Sequence, residues 1–405
     1  MSAQPTTINA QEAWGKLLRG DPMFILDVRN RDEFERWRVE GPHAVQTLNI
    51  PYFELADLES DDEDVTNAVM RGLDTQGILQ QLPRDLPILA VCAEGSTSSY
   101  VAAALRRMDF DAVNLEGGME AWGNYYSTRP IVEDARFSLF QIARPARGCL
   151  SHVLVSGQHA VVFDPGRHLE PYRDLVHRLG AHIEAAFDTH LHADHLSGGP
   201  ALSRQEHVSY HLHPYDAIHP MDLLPARIPF RWLEEGETFL VGQAEVRALH
   251  VPGHTLGMVA FLIEGRYLLS GDSLFVESIA RPDLGGKAES WTPLLYESLR
   301  RMIEMPDETV VLPGHFSDMA AISPDGVFRA SLRELKANNP GVRKLGEGLE
   351  AFTSYILGNL PTFPEAYIEI KRANAGLSDP DERQALELEL GKNICAIGKD
   401  VGQYH

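Results

Sequence analysis

The sequence of 405 residues has no excess of basic charge and no long apolar run. Its 36 Lys and Arg are outnumbered by 58 Asp and Glu, which gives a formal net charge of -22. Nucleic acids and anionic membranes are bound by basic surfaces, so we expect neither as a partner. No apolar stretch approaches the length of a membrane-spanning helix, so a membrane protein is not expected.

Cysteine is also scarce. The three cysteines, Cys92, Cys149 and Cys395, lie far apart and cannot form an extensive disulfide framework. The first residues lack a charged segment followed by an apolar core, and their acidic residues do not suit a transit peptide. These features favour a reducing, cytoplasmic location. A homo-oligomer is compatible with the sequence, which leaves the oligomeric state open.

The length exceeds what one hydrophobic core usually organises, so two main domains are expected. Residues 1–126 alternate short apolar strands with helices, which indicates an α/β domain with a parallel sheet. Residues 127–136 include a proline and show no periodicity, so they are interpreted as a linker. Residues 137–325 combine paired strands and helices, as in an αββα sandwich. Residues 326–405 are predicted to form a mainly helical extension.

Histidines and aspartates recur at predicted strand ends. The segment THLHADHLSGG follows an apolar stretch and offers four candidate ligands on one loop: His190, His192, Asp194 and His195. Three more candidates each follow a glycine after an apolar strand: His254, Asp272 and His315. Collecting such groups without a cation would be costly, so the pattern predicts a metal site. His211 and His213 lack an Asp-His continuation and are not predicted to bind metal.

These motifs resemble the metallo-β-lactamase superfamily over residues 137–325. The resemblance implies that all seven ligand positions of its binuclear hydrolases are occupied here. One metal would be held by His190, His192, His254 and Asp272, and the other by Asp194, His195 and His315. The ligand inventory therefore leaves a two-metal hydrolase and a one-metal oxygenase both open.

Two other segments resemble the persulfide dioxygenases more than glyoxalase II. The segment ARPDLGG carries Arg281 and Asp283 where glyoxalase II is expected to have an Arg-Phe-Phe-Glu type sequence. The C-terminal extension matches persulfide dioxygenases at Asn339, Pro340, Phe352, Asn359, Leu360, Pro361, Pro364 and Asn374.

The resemblance implies a single Fe(II) held by His190, His254 and Asp272, and oxidation of a small thiol persulfide by O₂ to sulfite. His192, Asp194, His195 and His315 would then orient ligands and bound water or oxygen. We predict that Arg281 binds a carboxylate of the carrier thiol, because a guanidinium pairs with a carboxylate through two hydrogen bonds. The identity of that thiol stays open.

The first domain resembles rhodanese over residues 5–125. Matching positions are Asp27, Arg29, Glu33, Phe34, Asn49, Ile50, Pro51, Gly117, Gly118 and Trp122. The resemblance implies that Cys92 is the nucleophile of a sulfurtransferase, and the following helix N-terminus would favour its thiolate. Thr97 replaces the usual Arg and Glu94 adds negative charge, so a regulatory or persulfide-docking module stays open.

Cys149, at a strand start, and Cys395, on the helical tail, are interpreted as small buried hydrophobic residues. The first rival function is a binuclear zinc thioester hydrolase of the glyoxalase II type, with two Zn in place of iron. The second is a non-enzymatic persulfide sensor or carrier, which the altered Cys92 loop favours.

Overall fold

The computed structural model describes residues 6–56 and 64–398, and the chain divides into two compact units. Within the described residues, the first unit comprises 6–125 with 144–146, and the second comprises 126–143 with 147–398. No described helix is both long and apolar enough to cross a membrane.

The first unit is a five-stranded parallel sheet flanked by helices, with strand order β1-β5-β4-β2-β3. Its strands are β1 Thr7–Ile8, β2 Phe24–Asp27, β3 Gln46–Asn49, β4 Ile88–Val91 and β5 Ala112–Leu115. Its helices are α1 Ala10–Arg19, α2 Arg31–Arg36, α3 Tyr52–Leu55, α4 Val65–Thr75, α5 Ser96–Arg107 and α6 Gly118–Gly123. The central strands β2 and β4 are buried along their whole length, as expected for a parallel sheet covered on both faces.

The second unit contains two sheets. The seven-stranded sheet has the order β12-β11-β10-β9-β8-β7-β6, and the six-stranded sheet has the order β13-β14-β15-β16-β17-β18. The first sheet comprises β6 Ser127–Glu133, β7 Ser138–Arg144, β8 Cys149–Ser156, β9 His159–Phe163, β10 His182–Phe187, β11 Ser209–Leu212 and β12 Arg231–Trp232. The second comprises β13 Thr238–Val241, β14 Ala244–His250, β15 Val259–Ile263, β16 Tyr267–Gly271, β17 Val310–Pro313 and β18 Ala330–Ser331.

Eight helices are described in the second unit: α7 Glu170–Arg178, α8 Gly199–Glu206, α9 Ala288–Ile303, α10 Leu332–Asn338, α11 Pro340–Leu345, α12 Leu349–Gly358, α13 Ala366–Asn374 and α14 Glu382–Leu388. The inner core packs Phe163 and Phe187 of the first sheet against Phe261 of the second. Helices α7 and α8 contribute to a core with the first sheet, and α9 to α12 to a core with the second. The predicted αββα sandwich is confirmed.

The predicted linker at 127–136 is wrong, because residues 127–133 form strand β6. This strand pairs antiparallel with β7, with a register shift between Pro130 and Val132. Pro130 cannot donate a ladder hydrogen bond, and the shift interrupts the alternation of side chains between the two faces. The interrupted period explains why the sequence pattern did not indicate a strand.

The C-terminal extension is mainly helical, as predicted, but Cys395 does not lie on a helix. It follows α14 in an irregular segment, and an isolated antiparallel bridge joins its neighbour Ala396 to Ala280. Arg281 N–H also donates to the carbonyl of Cys395 at 3.1 Å. The end of the described chain is thus anchored beside the loop that follows Asp272.

Candidate metal centre

Four loops of the second unit carry the seven predicted ligands, and each loop follows a strand. The loop after β10 carries four of them: His190, His192, Asp194 and His195. The other three follow β14, β16 and β17: His254, Asp272 and His315. All seven side chains are buried. The structure therefore brings together every residue that the sequence predicted for this centre.

Glycines before the ligands allow the loops to approach closely. Gly271 has a left-handed backbone with φ +49°, and a Cβ there would lie 2.2 Å from the Met258 side chain. A Cβ on Gly314 would lie 2.7 Å from Asp272 Oδ1. A larger residue at either position would push the ligand loops apart, which gives a physical reason for the repeated Gly-ligand pattern.

Three ligand atoms form a compact set without partners. Asp272 Oδ2 lies 3.9 Å from His190 Nε2 and 3.5 Å from His254 Nε2, and the three atoms lie within 4.8 Å of one another. None of them has a hydrogen-bond partner among the described residues. Unpaired buried polar atoms are costly, so this donor set fits a metal cation.

His190, His254 and Asp272 form a triad whose electrostatics suit metal binding. Burial, with the charges of His192 and His254, holds the pKa of His190 well below its usual value, and burial likewise lowers the pKa of His254. Burial opposes ionisation of Asp272. The charge and hydrogen bond of His315 outweigh this effect, so the pKa of Asp272 is lowered. Two neutral imidazoles and one carboxylate are the protonation states that a metal requires.

Hydrogen bonds fix the histidine rings. His254 Nδ1–H donates to the carbonyl of Arg281 at 2.9 Å, so its Nε2 lone pair is free for a cation. His190 Nδ1 lies 3.0 Å from Thr189 Oγ1. In His192 the roles of the two ring nitrogens are reversed. Its Nε2 lies 3.1 Å from Asp164 Oδ1, and its buried Nδ1 lacks a hydrogen-bond partner among the described residues.

The remaining three predicted ligands form a second, charge-paired cluster. His315 lies between two carboxylates, with Nδ1 at 2.5 Å from Asp272 Oδ1 and Nε2 at 2.5 Å from Asp194 Oδ2. Although burial opposes it, these carboxylates raise the pKa of His315 well above its usual value. His195 Nδ1 lies 3.2 Å from Asp194 Oδ1. This cluster can hold a second cation or connect the triad to a network of charges.

Two cysteines lie beside this cluster, which corrects the prediction that they are only core residues. Cys149 and Cys395 are buried, as predicted. However, Cys149 Sγ lies 3.7 Å from Asp194 Oδ2. Cys395 Sγ lies within 4.8 Å of ligand atoms of Asp194, Asp272 and His315. Both thiols are far in sequence from the metal motifs, so no local pattern could have indicated this.

The predicted role of Arg281 in binding a substrate carboxylate does not fit the structure. The side chain is 0 % exposed and its guanidinium is fully engaged. It pairs with Asp283 at 2.7 and 2.8 Å and donates to the carbonyls of Pro361 and Ile394 at 3.0 Å. Because its own carbonyl holds His254, Arg281 positions a ligand and anchors the tail.

Three residues that support the ligand loops were not assigned this role from the sequence. Asp164 accepts from Thr189 N–H at 2.7 Å as well as holding His192. Asp216 joins two loops, since it accepts from the N–H of Leu191 at 2.8 Å and the hydroxyl of Thr255 at 2.7 Å. Asn374 donates to the carbonyls of His192 and His195 at 2.9 Å. The sequence signal for Asp164 was its place at the end of the apolar strand AVVFDP.

Lys371 is a further residue that the sequence did not indicate. It shares one face of α13 with Tyr367 and Asn374, because residues three and four positions apart on a helix are neighbours. Tyr367 OH lies 3.7 Å from Cys395 Sγ, and Asn374 holds the ligand loop, so this face is turned to the centre. Lys371 is only 4 % exposed, and it has no hydrogen bond or ion pair to another described residue.

In the first unit, Cys92 lies between β4 and α5, where a backbone N–H and a hydroxyl approach its sulfur. Its Sγ accepts from Gly95 N–H at 3.1 Å and lies 3.1 Å from the Ser98 hydroxyl. Ser98 Oγ is 2.7 Å from Asn114 Oδ1. Gly118 has φ +56°, and a Cβ there would lie 2.4 Å from the Cys92 carbonyl. These groups hold the thiol in a narrow loop without a positive charge at Thr97.

Several residues of the first unit that match the rhodanese pattern form a hydrogen-bond network that supports the fold. Arg29 pairs with Asp27 at 2.7 Å and donates to the carbonyl of Trp37 at 2.5 Å. Asn49 Nδ2 donates to the carbonyls of Asp27 and Arg29 at 3.0 and 2.9 Å. This buried network joins β2, β3 and the segment after α2.

Comparison with known proteins agrees with this division. Residues 9–125 match the model of the rhodanese-like domain, and residues 144–315 match that of the metallo-beta-lactamase superfamily. A protein of Aquifex aeolicus described as uncharacterized is 30% identical over 190 residues, which cover 44% of this chain and 87% of that protein. The chain belongs to the metallo-beta-lactamase superfamily.

Named relatives of this metallo-beta-lactamase superfamily protein include a hydroxyacylglutathione hydrolase of Hamiltonella defensa. It is 28% identical over 211 residues, which cover 49% of this chain and 79% of that protein. A crystal structure of a metallo-beta-lactamase from Staphylococcus aureus has a TM-score of 0.54 at 23% identity. The aligned region covers 59% of this chain and 72% of the Staphylococcus aureus chain, and the similarity establishes the fold alone.

Proposed function

We propose that this metallo-beta-lactamase superfamily protein is an iron-dependent persulfide dioxygenase whose rhodanese-like domain handles persulfide sulfur. The reaction converts a thiol persulfide, O₂ and water into the free thiol, sulfite and protons. The terminal sulfur is oxidised, and O₂ is reduced. The proposed substrates are therefore a small thiol persulfide and O₂.

The observation that carries the proposal is the unpartnered triad. His190 Nε2, His254 Nε2 and Asp272 Oδ2 are buried, close together and free of hydrogen bonds to described residues. Two imidazoles and one carboxylate would hold Fe(II), which would supply the chemistry that an oxygenase needs to oxidise a thiol persulfide with O₂. The buried surroundings keep bulk water away from the site.

The two segments that resemble persulfide dioxygenases are physically connected, which supports the same choice. Arg281 donates to the carbonyl of Pro361 in the tail and holds His254 through its own carbonyl. Asn339 of the tail donates to the carbonyl of Ser278 at 2.8 Å. Asn374 holds the loop of His192 and His195. Three of the matched residues, Arg281, Asn339 and Asn374, thus hydrogen-bond to the candidate ligand loops or to the segment that follows Asp272.

Lys371 is the residue that we propose to bind the anionic part of the carrier thiol, in place of Arg281. A buried ammonium without an ion pair is costly, and a substrate carboxylate would compensate it. The face of α13 that carries Lys371 also contacts the ligand loop through Asn374. This arrangement favours an acidic thiol such as glutathione.

In the first unit, we propose that Cys92 carries sulfur as a persulfide. Gly95 N–H and the Ser98 hydroxyl can both donate to a charged sulfur at this position. Thr97 supplies no positive charge, so an anionic donor such as thiosulfate should be used poorly. A non-enzymatic sensor or carrier without turnover is the alternative. Catalytic sulfur transfer by the native chain that is lost in a Cys92→Ser variant would support a sulfurtransferase, and no turnover by the native chain would favour the alternative.

A zinc-dependent thioester hydrolase is the second candidate for the metal unit. The relative described as hydroxyacylglutathione hydrolase favours it, as does the presence of four further ligand-type residues beside the triad: His192, Asp194, His195 and His315. Asp194, His195 and His315 would hold a second cation beside the triad, and a pair of cations would supply the activation of water that thioester hydrolysis needs.

Anaerobic loading with Fe(II) or with Zn(II) tests the choice. The dioxygenase proposal expects O₂ uptake and sulfite release by the iron form with glutathione persulfide, and neither by the zinc form. Hydrolysis of an acyl-glutathione by the zinc form, with no O₂ uptake by a fully iron-loaded sample, would contradict it. A His254→Ala variant serves as the metal-free control.

A further inference from the structure

Three ligand-type side chains meet on the surface of the seven-stranded sheet, where β9 and β10 begin. They are His159, His182 and Glu184, and one ligand atom from each lies within 4.8 Å of the others. His159 Nδ1 lies 2.7 Å from Glu184 Oε1, and His182 Nε2 lies 3.1 Å from the same oxygen. Two imidazole nitrogens and one carboxylate oxygen therefore converge at one place.

Strand pairing places the two histidines side by side. His159 is the first residue of β9, His182 is the first residue of β10, and the two are direct partners in this parallel pair. His182 N–H also donates to the carbonyl of Gln158 at 2.9 Å. Paired strands lie about 4.8 Å apart, so the two rings are neighbours, with their centroids 5.7 Å apart. The fold thus fixes the separation of two ligand positions.

A β-bulge brings the carboxylate to the two rings. The pairing of β10 with β9 shifts register between Ile183 and Ala185, so Glu184 is an extra residue without a partner on β9. Bulges of this kind redirect a side chain, and here the redirected carboxylate lies against both imidazoles. The three side chains are between 38% and 63% exposed, so an ion from solution can reach them.

The cluster lies at the opposite end of β10 from the candidate metal centre. The strand comprises His182–Phe187, and the loop that carries His190 follows its last residue. The 6 residues of this strand span about 20 Å at about 3.3 Å each. An ion held by the cluster would therefore share no ligand with the triad and would not touch it.

We propose that His159, His182 and Glu184 form a separate surface site for a divalent transition-metal ion, with Zn(II) preferred to Fe(II). Imidazole and carboxylate bind Zn(II) at about 2.0 to 2.2 Å, which requires ligand atoms about 3 to 4 Å apart. The exposed side chains need to move little to reach this spacing. Sites of such ligands bind Zn(II) more tightly than Fe(II), so the chain can carry zinc here while iron occupies the triad. Zinc in the purified chain is then no evidence for a hydrolase.

The zinc content of the full chain tests the proposal. Native chain and variants are dialysed against the same concentration of free Zn(II), and the zinc bound per chain is measured. His182→Ala should bind about one ion fewer than the native chain, because the site keeps only two of its ligands. His177→Ala is the matched control, since this exposed histidine of α7 lines the same surface groove as His182. It should bind as much zinc as the native chain, and circular dichroism checks that both variants are folded.

The position of the ion gives an answer that needs no variant. Crystals of the full chain loaded with Zn(II) in solution should show an anomalous peak at the zinc edge between the three side chains. Absence of that peak, or equal zinc content in His182→Ala and the native chain, would overturn the proposal. Persulfide-dependent O₂ uptake by the iron-loaded His182→Ala should match that of the native chain. Failure of this site and failure of the proposed function are therefore measured separately.

Discussion

Each unit has a candidate reactive loop at the end of a buried strand. The residues that hold the loop of the first unit are close to it in sequence, whereas those that hold the loop of the second unit are far from it. The Cys92 loop is held by Gly95, Ser98, Asn114 and Gly118, all within a few dozen residues. The loop after β10 is held at one end by Asp164 and at the other by Asn374, which is 182 residues beyond His192. The metal centre therefore depends on the tail, whereas the cysteine loop depends on its own domain.

The largest expected effect comes from the triad itself. Replacing His254 by Ala removes one of three unpartnered ligand atoms, so iron should be lost and persulfide-dependent O₂ uptake should fall by about 10³-fold. Metal analysis and an oxygen electrode measure both quantities. The exposed His177→Ala is the control and should retain iron. Normal iron content in His254→Ala would break the proposed assignment.

Removing Asn374 tests the long-range support. Asn374→Ala leaves the carbonyls of His192 and His195 without their side-chain donor, and loss of such outer partners typically weakens metal affinity by about 10- to 100-fold. Competition with a chelator measures the affinity. Glu365→Gln, an exposed change just before the same helix, should have no effect. Equal affinities in both variants would mean that the tail does not support the centre.

Lys371→Gln tests the proposed anion partner. The KM for an acidic thiol persulfide should rise about tenfold, which corresponds to about 1.4 kcal/mol, while kcat changes little. Lys371→Arg should recover part of the loss. A neutral alkyl persulfide provides the comparison, because its KM should be insensitive to the change. An equal effect on both substrates would contradict charge pairing.

The smallest effect on O₂ uptake is expected from changes in the Cys92 loop. Cys92→Ser should abolish sulfur transfer yet leave O₂ uptake with free glutathione persulfide unchanged, since the triad lies in the other unit. Thr97→Arg should increase transfer from thiosulfate, because a cation in the first turn of α5 would attract the anionic donor. Assays of thiocyanate formation measure the transfer. A loss of O₂ uptake in Cys92→Ser would show that the two activities are coupled.

The same contrast explains how much the sequence predicts. The candidate ligands could be identified because all of them lie in segments that follow strands. Four are grouped in the segment THLHADHLSGG, and each of the other three follows a glycine directly, as at Gly271 before Asp272. The αββα architecture likewise follows from local strand and helix patterns. Strand β6 was missed because the shift at Pro130 interrupts its period.

The predictions that were wrong or missing at the candidate metal centre depend on contacts between residues far apart in the sequence. Arg281 was assigned to a substrate because a guanidinium suits a carboxylate, but the fold supplies Asp283 and three tail carbonyls as its partners. The surroundings of Cys149 and Lys371 depend on segments far away in the chain. Such proximity cannot be inferred from residue types or spacing alone.

O₂ consumption by the anaerobically iron-loaded full chain tests most directly the proposal that the triad holds one iron ion for persulfide oxidation. We expect uptake of O₂ equimolar with added glutathione persulfide, with sulfite as the product and no uptake by His254→Ala. A fully iron-loaded protein that consumes no O₂, while its zinc form hydrolyses an acyl-glutathione, would contradict it.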